Sequence, residues 1–366
     1  MAAHPVQTVL VAGGGVGAIE TVLALQSLAP DRFDIELLAP ERHFTYRSLL
    51  VGAAFQRTAP SRVELTAVAA DRGFHVTRDA LDRVDASAHE VITQEGARMR
   101  YDVLVLALGT QPIAAVHGAI PYRGSHDVGA VTEALQRIDA PARVAYVARS
   151  AVMWTLPLYE LALLTAAWAK ESEFAIEVLL ATAEREPLEA FGADSSRRVA
   201  ELLEHAGVQL WPDTIVDRVQ DGLLQPLQRA PIPVAFAVAL PFLEGRPVPG
   251  VPHDLQGFTP VGDTGLVVGL EDVYAIGAMT DRPLKHGGLS AQQAAVAASA
   301  IASKADIPVR VQPYLPVLRG ILRNGGDPLY MRNPPEDNGL LTADVGVGAE
   351  HLSRYLTSRH ELRALH

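Results

Sequence analysis

The chain has 366 residues, 49% apolar and 20% charged, with 29 Gly and 25 Pro spread along it, a size that calls for two or three hydrophobic cores. A formal charge of −11 without any Lys/Arg run excludes a nucleic-acid partner and leaves small molecules as ligands. Zero cysteines exclude disulfides, thiolate zinc sites, iron–sulfur clusters and a redox-active Cys pair.

The opening Met1-Ala2-Ala3-His4-Pro5 lacks the basic segment and apolar stretch of a signal peptide, so a cytoplasmic location is expected. Residues 8–12 form a short apolar run closed by glycine, 19–28 carry apolar side chains at helical spacing, and 35–38 form another apolar strand. That is a β-α-β unit. Residues 101–108 read as a further strand ending in Gly109-Thr110-Gln111-Pro112, where the chain should leave the first domain. A strand over 143–148, a helix over 159–170, a strand over 173–180 and a helix over 195–205 closed by Gly207 then predict a second unit of the same kind. The stretch 151–169 is almost wholly apolar and near the length of a membrane span. Pro157 and Glu160 within it argue for a buried strand-to-helix unit and against a transmembrane span.

A strand over 273–276 closing on Gly277, and an Ala-rich helix over 290–303 announced by Gly287, Gly288 and Ser290, should return the chain to the first domain. From about 312 the chain is punctuated by Pro and Gly, and a short polar helix is expected near 350–365, whose partly amphipathic spacing leaves peripheral membrane association open. The expected fold is α/β: two Rossmann-like three-layer dinucleotide-binding domains plus a small C-terminal module. Residues 1–115 and 251–311 form the first domain in two segments, 116–250 an inserted domain, and 312–366 the module.

The strongest motif is Gly13-Gly14-Gly15-Val16-Gly17-Ala18, which sets Gly13, Gly15 and Ala18 at the three positions of the dinucleotide fingerprint. A strand feeds it and a helix follows, so its backbone can turn tightly and approach a pyrophosphate on the helix's positive end; a ligand-free glycine loop is the competing reading. The ribose-binding acid expected after the second strand falls near Ala39, which cannot serve. Glu41 is the nearest substitute, Arg42 beside it is a candidate phosphate contact, and a solvated turn pair is the alternative for both. In the second unit the corresponding turn reads Ala148-Arg149-Ser150-Ala151-Val152-Met153-Trp154-Thr155-Leu156-Pro157, with no glycine. NAD(P)H held in the usual way is therefore not expected, although Arg149 and Ser150 are candidates for another anionic group. The twelve histidines show no metal-binding spacing, so no metal is expected, and there is no Gly-x-Ser-x-Gly elbow.

The fingerprint, the stretch 38–47 and Tyr101-Asp102-Val103-Leu104-Val105-Leu106-Ala107-Leu108-Gly109 together resemble the FAD-dependent pyridine nucleotide-disulfide oxidoreductase superfamily. The nearest types are type II NADH dehydrogenases and sulfide:quinone oxidoreductases, over residues 8 to about 302. The segment 283–294 also resembles a bacterial branch of FAD/NAD(P)-binding oxidoreductases. The resemblance implies FAD as cofactor and adds Arg47, Ala107 and Gly109 to its candidate contacts. Where the family has a Gly-Asp pair on the ribityl chain, this chain has Gly277-Ala278, a loss of about tenfold in affinity. The resemblance also places Ser290 and Ala291 at the pyrimidine edge of a reduced flavin, and Lys285 and His286 where they polarise the ring or relay a proton.

Glu160 aligns with a family glutamate near the flavin's nicotinamide side, and Trp154, Pro157 and Tyr159 become a wall for a planar substrate, with core packing as the alternative. The family's quinone-linked motif is matched in part, by Ala291-Gln292 and Ala294, with Val296 where a second Gln would stand. Sulfide chemistry needs cysteines to carry sulfur, so the likeness to sulfide:quinone oxidoreductases stops at the fold. The expected function is an FAD-dependent oxidoreductase passing electrons from a small-molecule donor to a quinone or other small acceptor. An NAD(P)H-dependent dehydrogenase and a redox-inactive nucleotide-binding scaffold are the rivals, and a homodimer is left open.

Overall fold

The computed structural model describes residues 6–45, 50–55, 62–124, 127–139, 141–149 and 154–333. The first unit runs through β1 (Gln7–Ala12), α1 (Val16–Leu28), β2 (Phe33–Leu38) and β3 (His75–Thr77). An antiparallel meander, β4 (Leu81–Asp85), β5 (Glu90–Thr93) and β6 (Arg98–Arg100), leads into β7 (Val103–Leu106). The second unit holds β8 (Ile120–Pro121), β9 (Ala142–Ala148), α2 (Leu156–Glu171), β10 (Ile176–Thr182), α3 (Ala193–His205), β11 (Gln209–Trp211) and β12 (Phe236–Ala239). The chain then gives β13 (Val273–Ala275), α4 (Gly287–Lys304) and a hairpin of β14 (Leu318–Leu322) and β15 (Leu329–Asn333).

Two five-stranded parallel sheets result, in the orders β13-β7-β1-β2-β3 and β8-β12-β9-β10-β11. In each, the first strand of the β-α-β unit has its successor on one side and a later strand on the other. That reversal opens a crevice at the strand's carboxyl end, where ligands of such sheets bind. Both faces of the first sheet are covered, which is why β7 is apolar and buried throughout rather than alternating. On one face α1 and α4 pack closely: α1 is buried from Gly17 to Leu25, and α4 meets it through Ala291, Ala294, Ala297 and Ala298. On the other face Val84 and Val91 of the meander join Leu104 and Leu106 in a separate core. The two crossings between the sheets run side by side, with Gln111–Ile113 paired antiparallel to Phe242–Glu244.

Several element limits differ from the sequence expectation for local reasons. The strand expected from residue 173 starts at Ile176, because Glu173 takes a positive φ of 58° in the preceding turn. Helix α4 starts at Gly287, ahead of the expected residue 290, with His286 as its N-cap. The region after 312, expected as irregular, contains the hairpin, whose inward residues Leu318, Leu322, Leu329 and Met331 join the core of the inserted unit. The helix expected over 350–365 lies outside the described residues. Among those described, no helix is long and apolar enough to cross a membrane.

Candidate functional site

The glycine turn sits at the first crevice. Gly13 has a φ of 129°, and a Cβ there would stand 2.4 Å from the Ala107 carbonyl oxygen, so only glycine lets the turn lie against the end of β7. Gly17 lies against Ile276 and Ser290, where a Cβ would meet their side chains at 3.2 and 3.7 Å, so it serves the packing of α1 on α4. Ala18, the third fingerprint residue, is buried there. Gly15 is the opposite case: it is exposed, it caps α1 without any side-chain hydrogen bond, and a Cβ on it would meet nothing within 4 Å. Val16 is half-buried behind it, close to Gly287 of α4.

Around this opening stand the other candidate cofactor residues. Glu41 is exposed and sends its carboxylate back to the turn, with Oε2 3.0 Å from the position of a Cβ on Gly14. Arg42 turns to Glu64, 3.1 Å away, with side chains 60% and 39% exposed, while Glu41 faces the turn. Gly109 has a φ of 71° with open space beside it, and Ala107 is half-buried. Gly277, at a φ of 75°, donates its N–H to the Gln293 carbonyl oxygen at 2.6 Å, while Ala278 is partly exposed. Ser290 donates to the His286 carbonyl, and Ala291 is buried between α1 and α4. Arg47 lies outside the described residues. A cradle with an uncapped helix start, an open Gly15 and an adjacent acid fits the diphosphate and ribose of a dinucleotide.

At the start of α4 the residues expected to act on the ring are gathered. Lys285 donates to the Thr280 carbonyl and lies 3.8 Å from the centre of the Phe258 ring; burial lowers its pKa to about 8. His286 packs on Trp154 with ring centroids 4.1 Å apart and the planes tilted by 37°, and Trp154 meets Phe191 at 5.6 Å. Burial lowers the His286 pKa to about 4, so the ring is neutral at physiological pH, and its buried Nδ1 has no hydrogen-bond partner. Pro157 occupies the first turn of α2, where its missing N–H costs nothing, and is half-buried.

Two expected roles are not what the geometry provides. Tyr159 is fully buried and donates to Glu184 at 2.7 Å, so it belongs to the core of the inserted unit and not to a ligand-facing wall. Glu160 is 2% exposed, and its Oε1 accepts the backbone N–H of Arg323 at 3.0 Å and the Arg323 guanidinium at 3.4 Å. Burial raises its pKa to about 7 against the opposing pull of Arg323.

Sequence reasoning missed Glu184. It follows β10 as Glu41 follows β2, yet it is 1% exposed. Its carboxylate accepts hydroxyl hydrogen bonds from Thr155 (2.9 Å), Tyr159 (2.7 Å) and Thr182 (3.0 Å). Arg149, at the end of β9, donates to the Ala115 carbonyl and lies 3.8 Å from Asp217. Ser150 lies outside the described residues.

Two parallel α/β units with an open glycine turn in the first define a dinucleotide-binding architecture. The model of the pyridine nucleotide-disulphide oxidoreductase family matches residues 7–225. The chain belongs to that family of FAD-dependent oxidoreductases. It is similar to the sulfide-quinone reductase of Aquifex aeolicus (strain VF5), 28% identical over 112 residues, which is 30% of this chain and only 26% of that relative. Among solved structures, the sulfide:quinone oxidoreductase of Aquifex aeolicus superposes with a TM-score of 0.84 at 20% identity, covering 96% of this chain and 91% of that one. A ferredoxin reductase from Rhodopseudomonas palustris gives 0.71 at 16% identity, with coverage of 88% and 81%. A putidaredoxin reductase solved in covalent complex with putidaredoxin gives 0.67 at 16% identity, with 87% and 79%. At these identities the structural likeness is one of fold.

Proposed function

We propose that this oxidoreductase takes electrons from a small-molecule donor other than NADH or NADPH and delivers them to a planar acceptor of the quinone class. One observation carries the reading: Glu41 is exposed beside an open glycine turn, whereas Glu184, its counterpart in the second unit, is sealed under three hydroxyls. A nicotinamide nucleotide's ribose would have to displace Thr155, Tyr159 and Thr182 from that carboxylate and leave buried groups unpaired, a cost that opposes binding. Arg149, just after β9, already serves Ala115 and Asp217. Sulfide is not the donor, because a chain without cysteine has no thiolate to carry sulfur.

FAD, when bound, supplies the redox chemistry. Gly13, Gly15, Val16, Gly17 and Ala18 shape the turn and helix start that would hold its diphosphate, and Glu41 would accept from the ribose diol. Ala107, Gly109, Gly277 and Ala278 would line its path along the sheet ends, and the amides near Ser290 would meet its ring. Lys285, charged at neutral pH, favours negative charge there. Trp154, Phe191 and His286 form an aromatic shelf for the acceptor. The name of the curated relative, a quinone reductase, supports the acceptor class. The test is to reduce the holoenzyme anaerobically with stoichiometric dithionite and mix it with a soluble benzoquinone. Return of the oxidised flavin absorbance within seconds is expected, and a spectrum that stays reduced would defeat the acceptor assignment.

A further inference from the structure

We infer that the C-terminal hairpin, β14 with β15, is the roof of the acceptor pocket, and that Glu160 is a positioning residue that fastens this roof. The inference rests on the acceptor reading above and assigns Glu160 a different task from that of a proton donor to the cofactor. Its carboxylate grips Arg323, whose backbone N–H lies 3.0 Å and guanidinium 3.4 Å from the same oxygen. Arg323 directly follows β14. Glu160 lies in α2 of the inserted unit and is 2% exposed, so the carboxylate end of this grip is shielded from solvent, while the Arg323 side chain is 30% exposed.

The other end of β14 is tied to a different body. Gln292, in α4, donates to the Val317 carbonyl at 2.8 Å and accepts the Val317 N–H at 2.9 Å, so its amide pairs with the chain as a neighbouring strand would. Val317 directly precedes β14. At the end of β15, Asn333 donates to the Ala190 carbonyl at 2.7 Å. One strand thus spans from the helix that His286 caps to the helix that follows Trp154.

Between the two ties the strand presses on the aromatic shelf. A Cβ on Gly320 would stand 2.5 Å from Cζ of Phe191 and 3.0 Å from Leu156, so the backbone of β14 lies directly on the ring that meets Trp154. Leu318 and Leu322 share a core with Leu156, Phe191 and Leu289. A shift of the hairpin would free Phe191, and through it Trp154 and His286, to move. Holding the shelf still is what presents a planar acceptor to the ring in one orientation.

The test uses the FAD-loaded full chain and reads hydrogen exchange over residues 317–333 together with steady-state kinetics on a soluble benzoquinone. Glu160→Ala is expected to speed exchange at the Arg323 amide by about tenfold or more, and to raise the quinone KM by a larger factor than it lowers kcat. Glu160→Gln retains an oxygen that accepts the Arg323 N–H, so protection should return to within about twofold of the parent. Gln292→Ala should loosen the Val317 end independently, which keeps the test alive should Glu160→Ala fail to fold. Parent-like exchange in both alanine variants would overturn the proposal. So would a Glu160→Gln protein whose hairpin stays protected while kcat falls as far as in Glu160→Ala, the signature of a proton donor. If the parent reduces no quinone, the acceptor reading fails by itself, and the exchange measurements still decide whether Glu160 and Gln292 hold the hairpin.

Discussion

In the first β-α-β unit the acid after the second strand, Glu41, stays exposed and reaches back to a glycine turn with open space at Gly15. In the second, Glu184 occupies the corresponding place and is closed under the hydroxyls of Thr155, Tyr159 and Thr182. Both units keep the same parallel order around their first strand, so the frame does not depend on the ligand. What differs is how polar groups at the crevice are satisfied. An open site leaves backbone amides and a carboxylate for a ligand to complete, whereas a closed one completes itself with side chains.

The sharpest way to break this contrast is Gly15→Val. At an ordinary φ of −91° with nothing within 4 Å, the substitution should leave the fold and its melting temperature intact while filling the diphosphate space. FAD affinity by fluorescence titration is expected to fall about a hundredfold or more, equivalent to about 3 kcal/mol. In the second unit Glu184→Ala should act on stability instead. Leaving three buried hydroxyls without their acceptor is expected to cost about 3 kcal/mol in chemical denaturation, with FAD content unchanged. Gly320→Ala should destabilise by about 2 kcal/mol through overpacking on Phe191, read as a lowered melting temperature.

The smallest effects are in pH dependence. Glu160, raised from 4.5 to about 7, binds more protons folded than unfolded between those values, so its contribution to stability is lost as pH rises from 4.5 through 7. His286, lowered from 6.5 to about 4, binds fewer protons folded, so its contribution is lost as pH falls from 6.5 through 4. Denaturation of Glu160→Gln and His286→Gln across this window should therefore show slopes changed in opposite senses, by up to about 1.4 kcal/mol per pH unit. Equal slopes in both would contradict the burial assigned to these two groups.

The glycine turn was legible in the sequence because its requirement is local: a strand, a residue at positive φ and a helix start lie within a few positions. Glu41 was legible for the same reason. Glu184 was not, because a buried glutamate reads like a surface one; its signal was its place just after a strand, with Thr182 two residues before it. Tyr159 falls on the expected ligand wall through the family alignment of its neighbour Glu160, while the buried acid that claims its hydroxyl is 25 residues away. The partner of Glu160 is more distant still, 163 residues along the chain. The hairpin that carries that partner was hidden by Gly320, which reads as a turn residue yet faces the core as part of a Leu318-Gly320-Leu322 alternation.

The central claim is that the first crevice takes a nucleotide and the second does not. Anaerobic stopped-flow mixing of the FAD-loaded protein with NADH, and separately with NADPH, tests it most directly. The account predicts that the oxidised flavin absorbance persists with either nucleotide and bleaches only when dithionite is added; rapid bleaching by either nucleotide would contradict it.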